Sequence, residues 1–306
     1  MNISALFPGQ GSQVVGMGKD FFEVSDEARS VFSKADRALG FSISKLCFDG
    51  PIEELTLTKN AQPAILTASY VCFLEFKKRF PNANIICSAG HSLGEYTALV
   101  AAGVISFEDA VLLVHKRGTY MQEAVPEGTG GMVALLGPTE EEIRVLLSDI
   151  GDGIAEIANL NCPGQTVVAG DNQGIQNFSA KAAEKGWKVI PLKVSAPFHC
   201  SLMKPAAENL KKDLEAINFN NPQFPIYSNV KAQEINSGNE ARELLYQQVC
   251  SSVRWTESVV NMIKLTPESF VEFGSGSVLT NLLKRIDKSV KRFEISNPQS
   301  FEALSV

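Results

Sequence analysis

No two cysteines in this chain stand in a CxxC spacing, and the six present (Cys47, Cys72, Cys87, Cys162, Cys200, Cys250) are scattered. That pattern excludes a zinc knuckle, disfavours a disulfide framework, and fits reduced thiols in a cytoplasmic protein. No apolar run reaches the length needed to span a bilayer. The start, Met1-Asn2-Ile3-Ser4, lacks the basic segment and long apolar stretch of a secretion signal. A basic surplus is missing too: the net charge of −6 argues against nucleic acid as a partner. Repeats and low-complexity tracts are absent. What is there is ordinary for a globular protein, with 44% hydrophobic and 20% charged residues over 306 positions, enough for one large domain or two moderate ones. A monomer is expected.

The most informative stretch is Ser88-Ala-Gly-His-Ser-Leu-Gly-Glu-Tyr-Thr-Ala98, which follows the apolar Ile85-Ile86-Cys87. It contains Gly90-x-Ser92-x-Gly94, the pattern of a strand-to-helix elbow that lifts a serine hydroxyl out of the backbone. A helix is expected from Leu93 to Ala102, closed by Gly103. Its N-terminus would present backbone N–H groups and a positive dipole end beside Ser92. An acyl-transfer nucleophile needs both, because the attacked carbonyl oxygen becomes an anion. The plainer alternative is a glycine-rich turn carrying a surface serine.

A nucleophilic serine needs a base, and there are three histidines. His91 adjoins Ser92, and neighbouring side chains at an elbow diverge. His115 falls inside a helical stretch from Phe107 to Glu123, where a surface or half-buried position is expected. His199 remains. It lies in a loop after an extended segment and a proline, where catalytic residues tend to sit. Cys200 beside it is read as structural.

Hydrophobic patterning predicts a strand at Ile3–Phe7 ending in Pro8-Gly9-Gln10-Gly11, then helices near 17–39, 51–55 and 61–79, the elbow strand and helix, and the helix from 107. Strands alternating with helices indicate a parallel sheet covered by helices. From Gly130 the rhythm becomes βαββαβ: strand 132–136, helix 139–150, strands 154–160 and 166–169, helix 171–185 and strand 187–194. This is the split-βαβ, ferredoxin-like pattern, read as a small domain inserted into the larger one. Helix 202–217, strand 226–229, helices 241–249 and 256–265, strand 270–273 and helix 277–285 complete the chain. The fold class is α/β, with a large subdomain over 1–128 and 198–306 and a small one over 129–197. Gly274-Ser275-Gly276 resembles a dinucleotide loop but lacks its third glycine, and is read as structural.

In the helix from Phe107, residues Phe107, Ala110, Val111, Val114, Gly118 and Met121 share one apolar face. Arg117 falls on its flank, so partial burial is expected. A buried guanidinium needs an anion. That anion is either an Asp or Glu of the protein or a substrate carboxylate bound by two parallel hydrogen bonds.

Taken together, Phe7-Pro-Gly-Gln-Gly-Ser-Gln13, Gln62-Pro63-Ala64, Gly90-His-Ser-Leu-Gly-Glu-Tyr96, Arg117-Gly118 with Met121-Gln122, Asn161-Cys-Pro-Gly-Gln165, and His199 followed by Leu202-Met-Lys-Pro205 resemble the malonyl-CoA:acyl carrier protein transacylases of type II fatty acid synthesis. The resemblance runs from residue 3 to about 286. It implies an α/β-hydrolase-like large subdomain with a ferredoxin-like small one, and an enzyme moving malonyl from malonyl-CoA to the phosphopantetheine thiol of acyl carrier protein through a malonyl-serine. Ser92 would be the nucleophile and His199 the base. The backbone carbonyl of Gln248 would orient His199, and the N–H groups of Gln10 and Leu93 would form the oxyanion hole. Arg117 would clamp the malonyl carboxylate, with Gln62, Asn161 and Phe198 also at the substrate. No metal or cofactor is implied. Phe198 stands where some bacterial members carry a small residue, and this implies discrimination against methylmalonyl.

Acyl carrier proteins are acidic, so their docking surface should be basic. Lys181, Lys185, Lys188, Lys193, Lys204, Lys211 and Lys212 face only Glu184 and Glu208 within 181–212, a local surplus in an acidic chain. The bland alternative is a set of solvated helix faces. Three rival functions stay open at this point: a serine hydrolase with an acidic triad partner, an acyltransferase of a polyketide or polyunsaturated-lipid pathway, and a non-catalytic binding module that would have lost Ser92, His199 or Arg117.

Overall fold

A computed structural model describes residues 1–126 and 128–304. The chain begins with β1 (Asn2–Phe7), followed by α1 (Lys19–Val24), α2 (Asp26–Leu39), α3 (Ile43–Asp49), α4 (Ile52–Thr56) and α5 (Thr58–Arg79). Next come β2 (Asn84–Gly90), α6 (Leu93–Ala101) and α7 (Phe107–Glu123). The central segment is β3 (Gly130–Leu136), α8 (Glu140–Leu147), β4 (Ala155–Cys162), β5 (Gln165–Asp171), α9 (Asn172–Glu184) and β6 (Lys188–Pro191). It continues through a 3-10 turn, Ser201–Met203, to α10 (Lys204–Ala216), β7 (Ile226–Tyr227), α11 (Gly238–Gln248), α12 (Trp255–Ile263), β8 (Ser269–Phe273), α13 (Val278–Ile286) and β9 (Arg292–Ile295).

The strands form two sheets. One is five-stranded, in the order β7-β2-β1-β8-β9, with every pairing parallel. Its inner strand β1 is buried from Ile3 to Phe7, as a parallel strand covered on both faces must be. Alternation sends Ile3, Ala5 and Phe7 into the core beneath α2, α5 and α7, and Leu6 into a second core with Trp255, Phe270 and Leu283. The other sheet is antiparallel, in the order β4-β5-β3-β6. Numbered from its own first strand this is 2-3-1-4, the ferredoxin-like arrangement expected from βαββαβ. A third core lies between this sheet and α8 and α9, built on Leu135, Ile143, Val168 and Phe178.

The edge strand β4 is not left open. Leu160 N–H donates to Val253 O (2.9 Å) and Val253 N–H to Ala158 O (2.9 Å), so the chain before α12 caps it. This pairing holds the small sheet against the carboxyl ends of the parallel strands.

Several boundaries differ from the sequence expectation. The single helix predicted near 17–39 is two, because Ser25 takes an extended conformation and caps α2 through the Ala28 N–H. Helix α3 was not predicted. The long helix starts at Thr58 rather than 61 and keeps Pro63 as its sixth residue; the helical hydrogen bond that Pro63 cannot make leaves Lys59 O free, and His115 Nδ1 lies 2.8 Å from it. The strand predicted over 187–194 ends at Pro191, and that over 226–229 is only Ile226–Tyr227. The edge strand β9 was also missed; its alternation, Arg292-Phe293-Glu294-Ile295, is too short to stand out. Thr139 caps α8, and Glu142 closes a capping box there.

Helices α5 and α7 cross closely at Gly118, where an added Cβ would lie 2.6 Å from Thr58 O and 2.7 Å from Lys59 Cα. Both contacts are backbone, so neither can move cheaply. Gly118→Ala is expected to cost about 1–3 kcal/mol, lowering the thermal midpoint by roughly 2–5 °C in a chain of this size. Thermal unfolding followed by circular dichroism checks this; an unchanged midpoint would mean that the crossing is not a constraint.

Candidate active site

Ser92 sits between β2 and α6 with φ 51° and ψ −106°, a left-handed conformation that costs an ordinary residue roughly 1–3 kcal/mol. The surroundings impose it. A Cβ on Gly90 would fall 1.9 Å from the Gly94 carbonyl carbon, and one on Gly94 would fall 2.0 Å from Phe7 O. The elbow therefore closes on itself and on the end of β1, which both glycines permit. Asn229, just past β7, pins it from the far side: its Oδ1 accepts from Ser92 N–H (2.7 Å) and its Nδ2 donates to Gly90 O (2.7 Å).

The amides around Ser92 can be accounted for one by one. Ser92 N–H goes to Asn229, Gly94 N–H to His91 O (2.9 Å) and Glu95 N–H to Ser92 O (3.1 Å). Among the described residues, the N–H groups of Leu93 and Gln10 have no protein acceptor. Both residues line the cavity that holds Ser92, and Leu93 opens α6, whose N-terminus favours an anion.

His199 Nε2 lies 2.7 Å from Ser92 Oγ, and Nδ1 lies 2.9 Å from the carbonyl of Gln248. A carbonyl can only accept, so Nδ1 carries the hydrogen and Nε2 is left as acceptor for the serine proton. The carbonyl is available because Gln248 ends α11, and the last carbonyls of a helix lack helical partners. They are also the negative end of the helix, suited to an imidazolium. No carboxylate is needed in that place. Burial, and then the positive charge of Arg117, holds the imidazole down to about 3, so it is a neutral base.

Arg117 is 1% exposed, more deeply buried than its flank position on the helix predicted. Its Nη1 donates to Gln62 Oε1 (2.8 Å), and its Nη2 to Gln248 Oε1 (2.9 Å) and Ser92 Oγ (3.1 Å). It also lies 5.3 Å from the ring centroid of Tyr96. Nε has no partner. No carboxylate stands within 4.0 Å of it among the described ion pairs. The protein-carboxylate alternative is thus not realised: a buried cation is held by neutral groups at the edge of a cavity.

That cavity, about 210 Å³, is walled on its apolar side by Phe198, Met121, Met132 and Leu192. Gln62 enters it on the guanidinium. Asn161 is placed differently from the expectation: its Oδ1 meets His91 Nε2 at 2.8 Å, and Asn159, on the same strand, lines the cavity instead. His91 is half-buried, its ring 5.5 Å from that of Trp255; it lines the cavity but makes no side-chain hydrogen bond to Ser92. His115 bonds Lys59 O on the outside of α7, and Cys200 is buried with its thiol pushed up to about 12 by burial. Sequence reasoning missed Asn229, Asn159 and Glu95. Glu95 was within the quoted motif, three residues after Ser92, while Asn229 lies outside every motif.

A nucleophile on a strained elbow, a neutral histidine and two free amides are the equipment of a covalent acyl-transfer enzyme. The chain belongs to the acyl transferase domain family, whose model matches residues 6–298. Within it, the chain is similar to the malonyl CoA-acyl carrier protein transacylase of Bacillus subtilis strain 168, 45% identical over 98% of this chain and 95% of that protein. The solved acyl carrier protein S-malonyltransferase of Vibrio cholerae superposes with a TM-score of 0.96 at 40% identity, covering 99% of both chains. A malonyl-transacylase solved in complex with a type II polyketide synthase acyl-carrier protein gives 0.95 at 39% identity, over 99% of this chain and 98% of that one.

The buried, neutral state of His199 has a consequence for pH. Its folded value lies below the ordinary 6.5, so the active base persists as pH falls. Reaction of Ser92 with a neutral fluorophosphonate should keep most of its rate at pH 5.5, where an exposed histidine would have lost nearly all. His199→Ala should slow labelling roughly 10²–10⁴-fold. An acid limb centred at 6.5 would contradict the assignment.

Proposed function

We propose that this chain transfers the malonyl group from malonyl-CoA to the phosphopantetheine thiol of acyl carrier protein, serving fatty acid synthesis in the cytoplasm. The observation that carries this reading is Arg117, a buried cation with only neutral partners, 3.1 Å from the Ser92 hydroxyl. A carboxylate arriving there gains a paired charge-assisted contact in a dry site. Names of the relatives above agree with it.

In the first half-reaction, Ser92 Oγ attacks the thioester carbon while His199 Nε2 takes its proton. The Gln10 and Leu93 N–H groups receive the developing oxyanion. Collapse of the tetrahedral adduct breaks the carbon–sulfur bond, and His199 returns the proton to the CoA sulfur. The carrier-protein thiol then repeats the steps in reverse order and leaves with the malonyl group. Phe198 and the two methionines bound the space beside the acyl α-carbon, which supports the expected bias against a methyl branch, worth about 1–3 kcal/mol. Gln62 holds Arg117 in place, and Asn161 serves through His91.

Mixing with malonyl-CoA should give a malonyl adduct by intact mass on the wild type, none on Ser92→Ala, and little on Arg117→Ala. Malonyl turnover by Arg117→Ala should fall by about 100-fold or more, some 2.7 kcal/mol of lost transition-state binding, while acetyl transfer holds or rises. Rapid release of free malonate without an adduct would give the site to a hydrolase instead.

Docking of the acidic carrier is assigned to the lysines within 181–212. They do not form one face of one element: Lys181 is in the last turn of α9 and Lys185 follows as its C-cap, Lys193 lines the cavity, and Lys204, Lys211 and Lys212 lie on α10. Lys181 is already paired with Asp149 at 2.5 Å, which leaves Lys185 and Lys204 as better probes. Charge reversal at both should raise the KM for carrier protein several-fold at low salt and leave acylation by malonyl-CoA unchanged. Equal effects on the two half-reactions would count against this surface.

A further inference from the structure

Arg117 is not electrically alone. Its Nη2 donates to Gln248 Oε1 (2.9 Å), and the other end of that amide, Nε2, donates to Glu95 Oε2 (2.9 Å). A single glutamine side chain therefore joins a buried guanidinium to a fully buried carboxyl. Glu95 Oε2 also accepts from the backbone N–H of Asn229 (2.9 Å), whereas Oε1 has no partner. Glu95 is in the first turn of α6, whose positive end favours an ionised carboxylate. The titratable groups facing it are few: Arg117 from α7 and Tyr96 on its own helix, whose phenol burial pushes up to about 12 and keeps neutral. From α11 and the segment after β7 come only the neutral Gln248 and Asn229.

We infer that Glu95 is the resident counter-charge of Arg117, relayed through the Gln248 side chain, and that it takes up one proton from solvent when a substrate carboxylate settles on the guanidinium. The inference rests on the malonyl-transfer reading. In the free site one buried cation is balanced by one buried anion. A malonyl carboxylate adds a second anion in a medium that tolerates net charge poorly. Of the two proton acceptors present, His199 is held down to about 3 by burial and by Arg117, so it falls to Glu95 to remove the excess, by forming an O–H bond at the unpartnered Oε1. Burial already raises it to about 7, despite the hydrogen bonds and the arginine that favour the anion, so near neutral pH a small push suffices. A neutral acyl group brings no second anion and requires no proton. Glu95 is thus a positioning and charge-balancing residue, removed from the reacting atoms.

Calorimetric titration of Ser92→Ala with malonyl-CoA at pH 8, in Tris and in phosphate, reads the proton directly from the difference in heats. Acetyl-CoA is the reference for protons exchanged by the CoA phosphates. Uptake approaching one proton per malonyl-CoA above that reference is expected, and it should vanish in Ser92→Ala with Glu95→Gln. In the otherwise wild-type enzyme, the KM for malonyl-CoA should climb up to tenfold per pH unit above 7. Glu95→Gln should flatten that climb without a matching change in kcat, which a merely structural role for Glu95 would not produce. Malonyl-CoA binding with no excess uptake, or an unchanged climb in Glu95→Gln, would overturn the inference alone. Failure of malonyl-CoA to bind where acetyl-CoA does would remove the malonyl reading and the inference together. The Ser92→Ala titration decides the matter even if Glu95→Gln does not fold.

Discussion

A buried arginine without a touching carboxylate is the constraint around which this site is arranged. Desolvating a guanidinium is costly, and here it is met by Gln62, Gln248 and the Ser92 hydroxyl rather than by an ion pair. Each of those partners has a second duty. Ser92 Oγ accepts from Arg117 and donates to His199, so the cation also fixes the hydroxyl's rotamer. Gln248 accepts from Arg117 with its side chain and from His199 with its backbone. Moving the arginine would disturb nucleophile, base and base-orienting group at once.

The fold supplies the rigidity that this sharing demands. Ser92 and Gln10 follow adjacent strands of the parallel sheet, β2 and β1, and Asn229 follows β7 on the other side of β2. Three consecutive strand ends therefore converge on the elbow, the position where an open parallel sheet presents its crevice. His199, Phe198 and Leu192 come from the segment that returns from the small sheet, which is anchored by the pairing of β4 with Val253, while Met121 of α7 and Met132 of β3 complete the apolar wall. Gln248 lies five residues before that anchor, so the end of α11 and the edge of the small sheet are placed together.

Much of this was legible in the sequence, for identifiable reasons. The elbow glycines are dictated by contacts within a few residues, and local geometry leaves a local motif. The βαββαβ rhythm followed from alternating strands and helices of the right lengths. His199 could be reached by elimination because histidines are so few. The roles of Gln10, Leu93, Gln248, Gln62, Asn161 and Phe198 came from the family resemblance. What was not legible depends on long-range contacts. Asn229 acts across 137 positions from Ser92, and a single asparagine after a two-residue strand carries no pattern. The exchange of places between Asn159 and Asn161 turns on which of two residues, both on one strand, meets His91. Helical spacing put Arg117 at the flank of an apolar stripe, but full burial was decided by α5 and α11 packing over it.

The absence of a carboxylate from the histidine has a physical logic within this arrangement. An ionised aspartate on Nδ1 would compete for Arg117 and reduce its attraction for a second carboxylate. The carbonyl of a helix C-terminus gives the same tautomer and a partial negative charge at far smaller electrostatic cost to the neighbouring cation. Its weaker pull lets burial and the neighbouring arginine hold His199 at a depressed value, neutral and ready. The one true carboxylate of the network, Glu95, is set one amide further away, where it can balance the guanidinium without occupying it.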